Sequence, residues 1–111
     1  MDSFSIALSG MQAAQTQMNI VAQNVANLNT PGNKSRNANL VAGAAGVSVG
    51  SVTLDSSPGP IQPDGTEGSN VDLGTQMVNQ IVAAQYYRAN ASVISISNKT
   101  YGSLLDILHT N

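Results

Sequence analysis

One stretch constrains this chain more than any other. From Asn70 to His109, Leu73, Met77, Ile81, Ala84, Tyr87, Ala91, Ile94, Asn98, Tyr101, Leu105 and Leu108 follow one another in steps of three and four. That is the seam of a helix packed along another helix. At 1.5 Å per residue it is roughly 58 Å long, too long to be the core of a globule built from the rest. Ser69 or Asn70 is its expected N-cap, with Asp72 in the first turn where a carboxylate suits the helix dipole. Gly102 reads as a bend or a close helix approach, and His109 falls in the last turn.

The partner within the chain is Ser3 to Asn29. Phe4, Leu8, Met11, Ala14, Met18, Val21, Val25 and Leu28 recur at the same spacing, giving a helix of roughly 40 Å capped by Ser3 or Asp2. Its other face is Gln12, Gln15, Gln17, Asn19, Gln23, Asn24 and Asn27, and no charge stands between Asp2 and Lys34. A solvated face normally carries Glu and Lys. The neutral amides read as a second contact surface, with a solvated Gln/Asn face as the alternative.

Pro31 and Gly32 stop that helix near Asn29-Thr30. Residues 33–45, rich in Asn, Ala, Gly and Ser, are expected to form an irregular, mobile arm. Val47, Val49, Val52 and Leu54 alternate, and their period slips at Gly50-Ser51. A short strand or small hairpin arm with a bulge or bend is expected there. Pro58, Pro60, Pro63, Gly59, Gly65 and Gly68 make residues 55–69 a turn-rich loop without a helix.

Two helices and a thin middle leave Ile81, Val82, Tyr86, Val93, Ile96, Leu104 and Ile107 uncovered. Self-association or a partner is the economical answer. Composition agrees. Only 9% of the 111 residues are charged, against about 25% in ordinary soluble domains, and neutral amides pack at interfaces without the cost of desolvating ions. A net charge of -2 with four scattered cations, Lys34, Arg36, Arg88 and Lys99, argues against nucleic-acid binding. No apolar run approaches a membrane span, and Met1-Asp2-Ser3-Phe4 lacks the basic leader of a cleaved secretory signal. With His109 the one histidine and no cysteine, no acid/base, nucleophile or metal set is expected, nor any cofactor. Asp64, Glu67 and Asp72 miss the calcium-loop spacing and read as a solvated loop.

The residues also carry a resemblance. Ser9-Gly10-Met11, followed by Ala22-Gln23-Asn24-Val25-Ala26-Asn27-Leu28-Asn29-Thr30-Pro31-Gly32, resembles the N-terminal signature of bacterial flagellar rod and hook proteins. Ser69-Asn70-Val71-Asp72-Leu73, then Met77-Val78-Asn79, Ile81, Tyr87 and Asn90, looks like that family's C-terminal helix. The middle, Gly46 through Gly65, is similar in order to the proximal-rod subunits of the C type. Gln23 replaces the usual Asn, Asn33 stands where an aromatic is usual, and the middle is shorter than in rod subunits.

The resemblance implies a structural subunit of the flagellar axis, exported without a cleaved signal through the type III apparatus. It would polymerise with copies of itself and with other rod or hook subunits into a tube around a central channel, transmitting torque. Its location would be the basal body. Alternatives are a self-sufficient extracellular filament of the same family and a helical adaptor in export. The expected fold is mainly α. Terminal helices in residues 1–30 and 70–111 form an antiparallel α-hairpin or coiled coil, and 31–69 form a loop with a short β arm. The expected assembly residues are Phe4, Leu8, Met11, Met18, Asn24, Val25, Asn27, Leu28, Asn29, Pro31, Asn70, Asp72, Leu73, Met77, Ile81, Tyr87, Ile94, Tyr101, Leu105 and Leu108. Tyr86 is added as an anchor for a neighbour. Asn24, Asn27, Asn29 and Thr30 are expected to bond the helix end and following turn. The polar face holding Gln80, Ser92 and Ser95 would lie near the channel.

Overall fold

The computed structural model describes residues 3–110, so the expected cap Asp2 lies outside the described residues. The chain runs α1 (Ser3–Ala26), β1 (Arg36–Gly43), β2 (Gly46–Leu54) and α2 (Leu73–Thr110). It is a rod of 78 × 22 × 14 Å. Two long antiparallel helices and a small β-hairpin are the architecture the sequence predicts.

The register of the helix pair is fixed by polar and small residues. The Asn24 amide donates to Gln76 Oε1 at 3.0 Å, and the Ser3 and Ser97 hydroxyls share a hydrogen bond of 2.9 Å. Between them the backbone of Gly10 lies against Asn90, where an added Cβ would fall 2.6 Å from Nδ2. Ser3, Gly10, Gln17 and Asn24 climb α1 by heptads while Ser97, Asn90, Ala83 and Gln76 descend α2 by heptads, the repeat of a left-handed coil. Gln17 thus falls opposite Ala83. Ala7, Ala14 and Val21 form a second buried row of α1, and Ala13 and Ile20 a third. Small residues let the backbones approach closely.

This corrects the predicted seam. In α1, Ala14 and Val21 are buried and Met11, Met18 and Leu28 half-buried, but Phe4, Leu8 and Val25 are exposed. In α2, Ala84, Ala91 and Ile94 are half-buried, whereas Leu73, Met77, Ile81, Tyr87, Asn98, Tyr101, Leu105 and Leu108 are exposed. Tyr101, Leu105 and Leu108 lie past Ser97, beyond the start of α1, and bulky side chains at the other positions would hold the axes apart. The helices meet along the row where they can come closest. Gly102 has open space around it and makes no close approach within the chain.

The predicted cap of α2 is also corrected. Asp72 is the N-cap: its carboxylate accepts from the Thr75 N–H at 3.3 Å and the Thr75 hydroxyl at 2.7 Å, and its carbonyl takes the Gln76 N–H. Ser69 turns instead to the Val71 N–H, and Asn70 ties the loop, as described below.

Residues 36–43, expected to be irregular, form a strand. Asn24 supplies the reason. Its carbonyl accepts the Arg36 N–H and its amide donates to the Arg36 carbonyl, both at 2.9 Å, the paired bonds a neighbouring strand would make. The low β-propensity of Asn, Ala and Gly is overridden by this anchor. The expected bulge is present: Asn39 faces Ser51 and Leu40 faces Val49, which leaves Gly50 unpaired. Neither turn residue, Ala44 or Ala45, has positive φ, and Gly46 at φ 116° takes up the twist. The Ser9 hydroxyl, donating to the Ile6 carbonyl, accepts the Val47 N–H at 3.1 Å and seats this turn on α1. Residues 55–72 are turns and bends with one isolated bridge, Ile61 to Glu67, and no helix, as predicted.

Asn24 is 2% exposed, and its loss leaves both Arg36 groups and Gln76 Oε1 without their partner. Asn24→Ala is expected to lower stability by about 2–4 kcal/mol, and Asn29→Ala, at an exposed site, by less than about 0.5 kcal/mol. Urea unfolding followed by circular dichroism checks both.

Candidate assembly surface

The candidate site is an extended surface with a polar knot at one end. In the knot, Asn70 Oδ1 accepts the Ser35 N–H at 2.6 Å, and its Nδ2 donates to the carbonyls of Asp55 and Ser57 at 2.8 and 2.9 Å. Backbone bonds from Gly32 to Glu67, Asn70 to Asn33 and Asp55 to Ser35 close the same layer. The Lys34 ammonium meets Glu67 at 2.6 Å and donates to the Ser57 carbonyl. Glu67 also accepts the Gly59 N–H at 2.8 Å. Gly59 is packed so tightly against the Gly68 backbone that no side chain fits. Asn24 joins this layer to α2 through Arg36 and Gln76.

Of the predicted residues, Asn24 and Asn70 enter the knot. Asn27 donates to the Gln23 carbonyl and accepts the Thr30 hydroxyl, holding the turn after α1 as expected. Asn29 and Pro31 are exposed beyond it. The sequence reading missed Gln76, Ser9, Ser35 and the Lys34–Glu67 pair. The polar heptad Gln76, Ala83, Asn90 and Ser97 was a legible signal, one position away from the more apolar row that drew attention.

Four carboxylates at or near this end sit below their ordinary range. Glu67 is lowered by Lys34, first through their hydrogen bond, and by the Gly59 amide. Asp55 is lowered by Ser57, Asp64 by Thr66 and Asp72 by Thr75, each chiefly through a side-chain hydrogen bond.

The rest of the surface is apolar. Leu73, Met77, Val78, Ile81, Val82, Tyr86, Val93 and Ile96 of α2 are each at least 40% exposed, and Phe4, Ile6, Leu8 and Val25 of α1 are scarcely less so. Two grooves divide it. On the hairpin side, Ile6, Gly10, Gln17, Leu40, Val47 and Tyr86 line one of about 390 Å³, and Gln17 Oε1 is buried there without a hydrogen-bond partner. On the other side, Met18, Ala22, Val25, Ala26 and Gln80 border a groove of about 360 Å³ with no hairpin residue. Gln80 therefore lies beside α1 and not on one face with Ser92 and Ser95, as had been expected. Among the described residues no group of His, Cys, Asp or Glu is arranged to hold a metal ion, and no helix is long and apolar enough to cross a membrane.

A monomer-sized helix pair with apolar side chains on several faces is a structural subunit, built to be covered by neighbours. Comparison with known families agrees. Residues 4–34 match the model described as flagella basal body rod protein, and residues 65–107 match that of the flagellar basal body rod FlgEFG protein C-terminal. The chain belongs to the flagellar rod and hook family and is a structural protein of the flagellum. No curated protein matches it.

The lowered carboxylates set the acid limit of the knot. A depressed carboxyl contributes stability above its ordinary value, 4.5 for Glu67 and 3.8 for the aspartates, and that contribution is lost as pH falls through the lower folded value. The melting temperature is expected to be flat from about pH 7 to 5 and to drop below about pH 4. Glu67→Gln is expected to lower it at neutral pH and flatten the acid limb. Melts across this range for both proteins test the sign.

Proposed function

We propose that the chain is a proximal-rod-like subunit that polymerises into a helical tube around a central export channel and transmits torque along it. It passes through the flagellar export apparatus unfolded or partly folded, and docks with copies of itself and with other rod or hook subunits. The carrying observation is the apolar surface of α2. Met77 and Ile81 are 55% and 58% exposed on a helix whose intrachain seam is already filled. Contacts between unlike patches build open helical assemblies. The neutral amide faces let such contacts form without desolvating charge. Ser92 and Ser95, both exposed on α2, are the polar side that would face the channel.

A second reading is a self-sufficient extracellular filament, favoured by the small middle, where only a two-stranded hairpin stands outside the helix pair. Negative-stain microscopy of purified protein separates the two: uniform tubes support the filament, and incorporation only onto basal bodies supports the rod.

Met77→Asp and Ile81→Asp test the shared premise. Both side chains lie off the intrachain seam, so helicity by circular dichroism is expected to change by less than about a tenth. Recovery of the subunit in isolated basal bodies is expected to disappear. Normal incorporation of both variants would overturn the reading.

A further inference from the structure

The heptad that registers α2 on α1 does not stop where α1 stops. α1 begins at Ser3, opposite Ser97, while α2 runs on to Thr110, about 20 Å farther at 1.5 Å per residue. The next position of that heptad is Leu104, with Tyr101 and Leu108 beside it on the same face of the helix. Where α1 is present the central row is Gln76, Ala83, Asn90 and Ser97. Where it is absent that face of the helix turns bulky and apolar, and Tyr101, Leu104 and Leu108 are 48%, 51% and 66% exposed. Lys99 and Asp106 project from the opposite side of the helix, as helical spacing requires. The overhang is therefore amphipathic, with its apolar stripe continuing the side that α1 occupies lower down.

We propose that this stripe docks on a second copy of the chain, in the groove bordered by Met18, Ala22, Val25 and Gln80 at the opposite end of the helix pair. Three observations select that occupant. The stripe continues an interface already made by an α1 helix, so an α1 surface is the matching partner. The groove lies between α1 and α2 and has no hairpin residue along it. Neither surface carries a charge: α1 has none, and the ions of the overhang face away. A symmetric pairing of two overhangs would leave Val25, Met77 and Leu73 of both copies in water. The head-to-tail contact covers both ends of every copy and does not close on itself. It rests on the reading of the chain as an assembling subunit and gives that subunit a specific donor and acceptor end.

The natural chain has no cysteine, so paired thiols report the contact directly. Under mild oxidation the double variant Ala22→Cys/Leu104→Cys is expected to form a ladder of trimers and higher species. Each single variant is expected to stay uncrosslinked, because its thiol faces Leu104 or Ala22 of the neighbour, and the two singles mixed are expected to give the mixed dimer. Ala22 is exposed and Leu104 lies beyond the intrachain seam, so the fold is retained, which circular dichroism verifies. Leu104→Asp, read by sedimentation, is expected to abolish self-association of the purified chain without using disulfide geometry. A double variant that stops at dimers, self-association that survives Leu104→Asp, or a wild-type chain monomeric at every attainable concentration each overturns the contact. Monomers in solution that still enter basal bodies would remove this contact and leave the rod reading standing. A ladder from a protein absent from basal bodies would do the reverse.

Discussion

The fold hangs on the side chain of Asn24. It bonds at once to the first residue of β1 and to α2, two segments far apart in sequence. Without those bonds the hairpin has a turn seated by Ser9 but no anchored start, and a two-stranded hairpin alone is marginal in water. The same bonds fix which turn of α2 faces which turn of α1. Asn70 then locks the loop into the layer below through Ser35, Asp55 and Ser57. A buried amide with every bond satisfied adds little net energy but is costly to misplace, and so it specifies a single arrangement.

The division of labour between the two helices follows from size. Side chains that set the register of α1 on α2 are small or amide-bearing, Val21 is buried beside them, and most of the large apolar side chains point elsewhere. In an ordinary globular domain the assignment is the reverse. The chain keeps its hydrophobic driving force in reserve and uses geometry to set its own shape. This accounts for the scarcity of charge: a residue that is solvent-facing in the isolated chain is an interior residue once neighbours are in place.

Helix existence, helix direction, strand β2 with its irregularity at Gly50 and the loop after Leu54 were all readable from period and turn chemistry. The packing face was not. The rule that the most apolar row is the seam assumes that the seam is where apolar area is buried. Here Leu73, Met77 and Ile81 satisfy the period while Gln76, Ala83 and Asn90 make the contact. The cap at Asp72 was misplaced by a few residues because Ser69 and Asn70 have the same chemistry and were used for other bonds. Strand β1 was invisible because its cause, Asn24, lies twelve residues away in a helix. The apolar surface itself was legible from the excess of large residues over what two helices can hide.

The polar layers of the helix pair have a mechanical consequence. A coil lined only by leucine can slide by small steps, each exchanging one apolar contact for another. Here the next arrangement that superimposes the heptads lies about 10 Å away, and it would set Asn24 against Ala83, which has nothing to offer its amide. Axial sliding is therefore all or nothing, as with meshed gear teeth. The length of α2 that projects past Ser3 is consequently a fixed dimension of the molecule, the same in every copy.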